Sequence, residues 1–364
     1  MSAAARFAAL GGKRIIVAGA SGFIGRRFIG LCRQHGQAEI AGFVRSTRAA
    51  KALAASGALP LFVETADLES IADALAGADA FVNLAYDFTA TADDNIAMHR
   101  RFLDAAEEAG VRRVAHLSSI AVYDGWPGDA LTEESPAREP RNPYKRAKIE
   151  MDRDAAARRG RIDIVTLQPT CVYGPGSAFW TDAPAQDLVG GGVFIPMDGA
   201  GAFNGVFVDD VAEAIAAAVT APQASGERFI LNGADAPTWR DLYDAVAAAI
   251  GRSSAIYQQQ TPPAPPPVTF SEQAPGLAQK MRSMATRLIG REESAALKLQ
   301  ALKLKSLLRR SPRHPSPHET ALFVSTARPD TSKAQRILGW TARTSFTEGM
   351  RATAPYLKTK FGAL

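Results

Sequence analysis

The chain has 364 residues, 46% hydrophobic and 22% charged, which is ordinary globular composition with room for one large α/β unit and a smaller second lobe. Its net charge of +5 is local: residues 277–310 hold nine Lys/Arg against two Glu, so the rest is mildly acidic, and no nucleic-acid-binding surface is expected there. Cys32 and Cys171 have no metal-type spacing partner, the chain has no uninterrupted apolar run of about 18 residues, and the stretch before Lys13 is too weakly apolar for a secretory signal. No metal site is expected, and a cytoplasmic location is.

Lys13–Gly25 (KRIIVAGASGFIG) sets the frame. Ile15–Ala18 reads as a strand, Gly19, Gly22 and Gly25 as a tight turn, and Phe23–Leu31 as the start of a helix. Strand, glycine turn and helix together bring bare backbone N–H groups up to a pyrophosphate. Gly19 allows the turn, Gly22 the close approach of backbone to phosphate, and Gly25 the packing of helix on strand.

Strands and helices then alternate. Strands are predicted at Glu39–Val44, Leu59–Val63, Ala80–Ala85, Val111–Leu117 and Asp163–Leu167. Helices are predicted at Arg48–Ala55, Leu68–Leu75, Asp93–Ala109 and Tyr144–Arg158. This rhythm predicts an α/β fold, a Rossmann-type doubly wound parallel sheet, with a smaller C-terminal substrate lobe. Past Pro169 the rhythm breaks at glycine-rich loops, with helices at Asp209–Ala218 and Arg240–Ile250 and a strand at Arg228–Leu231. The predicted dinucleotide domain is 12–172 with 203–233, and the second lobe is 173–202 with 234–364.

Gln258–Pro267 reads as an extended proline-rich linker, and Leu277–Leu308 as helix broken near Gly290 and ended by Ser311–Pro317. The basic stretch 277–310 admits two readings. It is an amphipathic helical pair that docks on a partner or on anionic lipid, or an insertion packed on its own domain with a solvated basic face.

Ser119, Tyr144 and Lys148 carry the chemistry. Tyr144 and Lys148 stand at i and i+4 and share a helix face. A phenol is a weak acid–base catalyst at neutral pH, and a nearby ammonium together with the positive nicotinamide ring would favour the phenolate. Ser119, at a strand end, could hydrogen-bond a substrate oxygen beside it. The set suits hydride transfer at a carbonyl or alcohol carbon.

These pieces resemble an extended short-chain dehydrogenase/reductase of the NAD-dependent epimerase/dehydratase type. The matching segments are GASGFIG (19–25 covering Gly19 to Gly25), Asp67-Leu68, NLAY (83–86), Asn95, HLSSIAVY (116–123), NPYKRAK (142–148), VYGPG (172–176), FVDDVA (207–212) and DTSKAQRILGW (330–340). They run in family order, apart from about 258–322. The resemblance implies Ser119, Tyr144 and Lys148 as catalytic, with Asn95 organising the lysine through water. It implies cofactor contacts at Gly19, Ser21, Gly22, Phe23, Ile24, Gly25, Asp67, Leu68, Ala85, Tyr144 and Lys148, and substrate contacts at Tyr86, Cys171, Phe179 and Phe207. It also implies a homodimer through the helices at 93–109 and 144–158.

Two departures refine this. NAD-preferring members carry an acid about 20 residues after the glycine motif; here Arg45 stands there, with Ser46 and Arg48 beside it. A guanidinium binds a 2′-phosphate that a carboxylate would repel, so NADP(H) is expected over NAD(H). Nucleotide-sugar members carry an Asn before Val-Tyr-Gly-Pro, an Arg before Val-Asp-Asp and a His before its valine; here Cys171, Phe203 and Phe207 take those places. A small-molecule substrate more apolar than a nucleotide sugar is expected, with Trp180 also near it in sequence. The leading reading is an NADP(H)-dependent oxidoreductase. The alternatives are an NAD-retaining nucleotide-sugar epimerase or dehydratase and a non-catalytic cofactor-binding scaffold.

Overall fold

The apolar runs of the first half of the chain become one sheet. The computed structural model describes residues 2–123, 131–137, 142–260 and 311–362. The basic segment 277–310 and the linker from 261 onward lie outside the described residues. The strands are β1 (Arg14–Ala18), β2 (Glu39–Val44), β3 (Leu59–Phe62), β4 (Ala80–Asn83), β5 (Arg113–Leu117), β6 (Ile164–Pro169), β7 (Cys171–Tyr173), β8 (Phe194–Pro196), β9 (Gly205–Phe207), β10 (Arg228–Leu231) and β11 (Ile256–Gln258). The helices are α1 (Ala3–Ala8), α2 (Phe23–His35), α3 (Thr47–Ala55), α4 (Leu68–Leu75), α5 (Ala92–Glu108), α6 (Pro143–Ala157), α7 (Ala183–Val189), α8 (Val208–Thr220), α9 (Trp239–Ile250), α10 (Pro317–Val324) and α11 (Phe346–Phe361).

Seven strands pair in the order β10-β6-β5-β4-β1-β2-β3, all parallel. Chain order reverses between β1 and β4, the point at which open α/β sheets bind ligands beyond their strand ends. Register places Ala18 beside Asn83 and Asn83 beside His116, so Gly19 and Leu84 leave the sheet at the end where β5 closes with Leu117. One layer of helices holds α4, α5 and α6, packed over a core in which the rings of Phe43, Phe81 and Phe102 lie 5.7–5.8 Å apart. The other holds α2 against α8, and α8 lies on β5 and β6. Alanines fill α8, and every residue from Val208 to Val219 except Asp209 is buried, because small side chains let a helix approach the sheet closely.

Boundaries follow local chemistry. Ser46, Asp67, Thr91 and Asn142 accept first-turn N–H groups and start α3, α4, α5 and α6. The strand expected from Val111 starts at Arg113, because Gly110 (φ +66°) closes α5 and the Val111 N–H still donates to the Ala106 carbonyl oxygen. The strand expected to reach Ala85 ends at Asn83, where the chain turns over Gly19.

The chain divides into two contact units. The first holds 1–177, 204–236 and 326–349, and the second holds 178–203, 237–325 and 350–364. Residues 326–349, expected in the second lobe, therefore belong with the dinucleotide-type sheet. The Trp340 indole donates to the Asp210 carbonyl oxygen at 2.9 Å, and the N–H groups of Arg343 and Thr344 donate to its buried carboxylate at 2.9 and 3.2 Å.

In the second unit Trp239 packs on Phe203 and Phe323, with ring centroids 5.0 and 4.8 Å away. β8 pairs with β11, whose last residue, Gln258, was expected to open the linker. Arg313 there grips Asp187 through two nitrogens at 2.6 and 2.7 Å and also Glu319.

Candidate active site

The glycine turn fits a dinucleotide phosphate. Gly19 has φ +79°, and a Cβ on it would lie 2.9 Å from the Leu84 carbonyl carbon. A Cβ on Gly25 would overlap the Gly19 carbonyl oxygen. Gly22 is the N-cap of α2 and offers no capping side chain, so the first-turn N–H groups at Phe23, Ile24 and Gly25 remain for an anion. Ser21 and Gly22 are exposed at its mouth. The cradle would hold a pyrophosphate on backbone N–H groups and the α2 dipole.

The catalytic trio comes together at the same sheet edge. Ser119 follows β5 in extended backbone (φ −162°) and caps a short turn, accepting from the Ala121 N–H at 3.1 Å. Its hydroxyl lies beside the Tyr144 phenol and favours the phenolate. Lys148, one turn further along α6, is buried, and its Nζ donates to the Leu117 carbonyl oxygen at 2.8 Å. Burial draws its ammonium down to about 8, against an opposing pull from Asp152.

The protein's own groups favour the protonated form of Tyr144. Burial pushes the phenol above its ordinary range, Ser119 pulls it back, and Asp152 adds to the rise. The ammonium lies 6.0 Å from the Tyr144 ring centroid and closer, 5.3 Å, to that of Tyr86. The phenol is thus held as a proton donor.

Two aromatic rings flank the trio. Tyr86 meets Tyr144 edge to face at 4.9 Å, and Phe88 stacks on Tyr144 at 5.8 Å with 16° between planes. Phe88 is 64% exposed. Burial pushes the Tyr86 phenol up to about 12, helped by Tyr144 and Asp87. Asn95 fixes this loop: its carboxamide accepts from the Asp87 N–H at 2.8 Å and donates to the carbonyl oxygens of Asp87 and Thr91 at 2.9 Å each. Its direct hydrogen bonds thus go to the aromatic loop. Ala85, beside it, donates its N–H to Asn83 Oδ1 at 3.3 Å.

At the far side of the switch point, Arg45 follows β2, half exposed, with Nη1 3.6 Å from Asp87 Oδ2. Asp67 caps α4 by accepting from the Glu69 N–H at 3.2 Å, and exposed Leu68 lies next to it.

Two expected substrate residues are core packing of the first unit. Cys171 and Phe207 are buried on the paired strands β7 and β9, with Phe207 packed 5.5 Å from Tyr173. Burial also pushes the Cys171 thiol up. Their apolar environment is core packing. Phe179 belongs to the second unit, 56% exposed, and Phe203 is core there, against Trp180 and Trp239. Sequence reasoning passed over Phe88, which lies outside every motif, and Asp152, whose signal was its place four residues beyond Lys148.

Residues 15–232 match the model of the NAD dependent epimerase/dehydratase family. The chain belongs to that family. Its members are NAD-dependent epimerases and dehydratases, which are enzymes. The chain is 32% identical over 165 residues to a UDP-glucose 4-epimerase of Mycolicibacterium smegmatis, covering 43% of this chain and 52% of that protein. It is 28% identical over 239 residues to sterol demethylase protein B of Methylococcus capsulatus, covering 60% and 69%. This chain thus spans about half the length of the first relative. Among solved structures it is similar to the dTDP-glucose 4,6-dehydratase DesIV of Streptomyces venezuelae with NAD bound, at a TM-score of 0.67 and 21% identity over 96% of this chain and 98% of that one. Among the described residues, no helix is long and apolar enough to cross a membrane.

Proposed function

We propose that this family member is a cytoplasmic NADP(H)-preferring oxidoreductase that reduces a carbonyl, or oxidises an alcohol, on a largely apolar small molecule. The observation that carries the reading is the Ser119–Tyr144–Lys148 set walled by the rings of Tyr86 and Phe88. When bound, the reduced dinucleotide supplies the hydride. Tyr144 donates the proton to the carbonyl oxygen, Ser119 hydrogen-bonds that oxygen, and Lys148 holds the nicotinamide ribose. A protonated phenol suits the reductive direction.

Arg45 supports the cofactor preference. It is half exposed beside the N-terminus of α3, whose first turn carries no acid, so a 2′-phosphate would meet a guanidinium and a helix dipole together. The apolar substrate is supported by the rings beside the trio, Tyr86 at 4.9 Å and the exposed Phe88 at 5.8 Å from the Tyr144 ring. The name of the Methylococcus capsulatus relative points the same way.

The deciding experiment is a turnover panel. NADPH consumption with cyclic and aromatic ketones, and none with UDP- or dTDP-glucose, is the expected result. Stoichiometric NAD released on denaturation, with sugar-nucleotide turnover, would overturn it. That outcome is the second reading, an epimerase or dehydratase, favoured by the Mycolicibacterium smegmatis relative. A homodimer through α5 and α6 is proposed with either reading.

A further inference from the structure

Behind the catalytic pair, on the side away from the aromatic rings' loop, lies a buried polar cluster that the proposed reaction does not use. Tyr144, Lys148 and Asp152 are spaced i, i+4 and i+8 on α6, so all three lie along one stripe of the helix. Asp152 is fixed from β6: Gln168 Nε2 donates to its Oδ2 at 2.8 Å, and Gln168 Oε1 in turn accepts from the Tyr123 hydroxyl at 2.7 Å. Its other oxygen, Oδ1, is buried without a direct hydrogen bond and lies 3.7 Å from His116 Nε2. His116 lies against His99, with ring centroids 4.5 Å apart and 51° between the planes. A carboxylate held this firmly, with one oxygen left over, is placed to act at a distance.

We propose that Asp152 is a positioning residue for the acid–base pair, a fixed counter-charge that keeps the Lys148 ammonium charged and seated on the Leu117 carbonyl. The proposal rests on the reading that Lys148 holds the cofactor ribose.

The surroundings leave Asp152 this role. Lys148 faces Tyr144 and Asp152 on its own helix, His116 from β5, His99 from α5 and Tyr86 from the loop after β4. Burial and the neighbouring cations hold both histidines below their ordinary range, so they are neutral at pH 7 and lend no charge. Asp154 and Arg158 act on His99, and Tyr123 faces Asp152. Asp152 opposes the effect of burial on Lys148, and it also favours the protonated phenol of Tyr144. One carboxylate thereby biases both groups toward their proton-bearing forms, which is the state needed to reduce a carbonyl.

The test is the pH dependence of NADPH affinity, read by fluorescence between pH 6 and 10, alongside kcat/KM. The wild type is expected to lose affinity as pH rises through the Lys148 transition, and Lys148→Met to show weak binding with no such transition. Asp152→Asn should move that transition down by about one pH unit, a tenfold change in proton affinity. Asp152→Glu should restore most of it. A wild type without the transition would refute the role of Lys148 itself. A transition present in the wild type and unmoved in a folded Asp152→Asn, or equal defects in the Asn and Glu variants, would overturn the role of Asp152 while leaving the proposed reaction standing.

Discussion

Removing the Tyr144 hydroxyl takes away the proton donor and little else, since the ring keeps its contacts with Tyr86 and Phe88. Tyr144→Phe is expected to lower kcat by about 10²–10⁴-fold with NADPH affinity within about twofold, measured by steady-state kinetics and fluorescence titration. Retention of most activity would sink the mechanism. Arg45→Asp should weaken NADPH binding by roughly 10–100-fold and leave NADH binding nearly unchanged, because only one of the two carries the phosphate. Equal losses for both cofactors would refute the assignment. The trio and the glycines were legible in the sequence because a fixed spacing on one strand, turn or helix already dictates who meets whom. Asp152 and Phe88 were not. Asp152 acquires its meaning from Gln168 on β6 and His116 on β5, and Phe88 from a ring on α6 that lies 56 residues downstream in the chain.

The loop after β4 and the turn after β1 are elements in which one side chain, or the lack of one, sets the shape. Asn95 clasps the first with three hydrogen bonds while itself buried. Asn95→Ala strands the Asp87 N–H and should cost about 2 kcal/mol in denaturant unfolding. The KM for substrate should rise with it, as the aromatic wall loosens. An unchanged KM would mean that the rings do not meet the substrate. In the second element, Gly25→Ala drives a methyl group into the Gly19 carbonyl oxygen and should destabilise the fold by roughly 1–3 kcal/mol. Long elements with a clear period were readable in the sequence to within a residue or two. The pairs β7–β9 and β8–β11 were not, since each strand is three residues long and too short to show alternation. The packing of Phe207 on Tyr173 is hidden for the same reason: an aromatic residue in a short strand looks the same in sequence whether it faces a ligand or another ring.

For the whole molecule, the buried, adjoining His99–His116 pair makes stability depend on acid. Both are held neutral in the folded state, mainly by burial, with folded-state values lowered from the ordinary range. The unfolded chain therefore binds more protons below about pH 6.5, so stability is full above that pH and falls as pH drops. Unfolding free energy should decrease by about 2 kcal/mol between pH 7.5 and 5.5, measured by urea denaturation. His99→Gln should flatten the slope, and a flat wild-type profile would refute the account.

The division of the chain was only partly legible, because the partner of Asp210 is the backbone at 343–344, and backbone N–H groups leave no trace in a sequence. This tie has a consequence for synthesis. The chain passes between its two units five times, so neither unit is a single contiguous stretch. A ribosome must deliver Thr344 before the carboxylate under α8 finds its last donors. A protein truncated at Ser325 should emerge with a bare buried anion, unable to mature, whatever the state of its glycine turn.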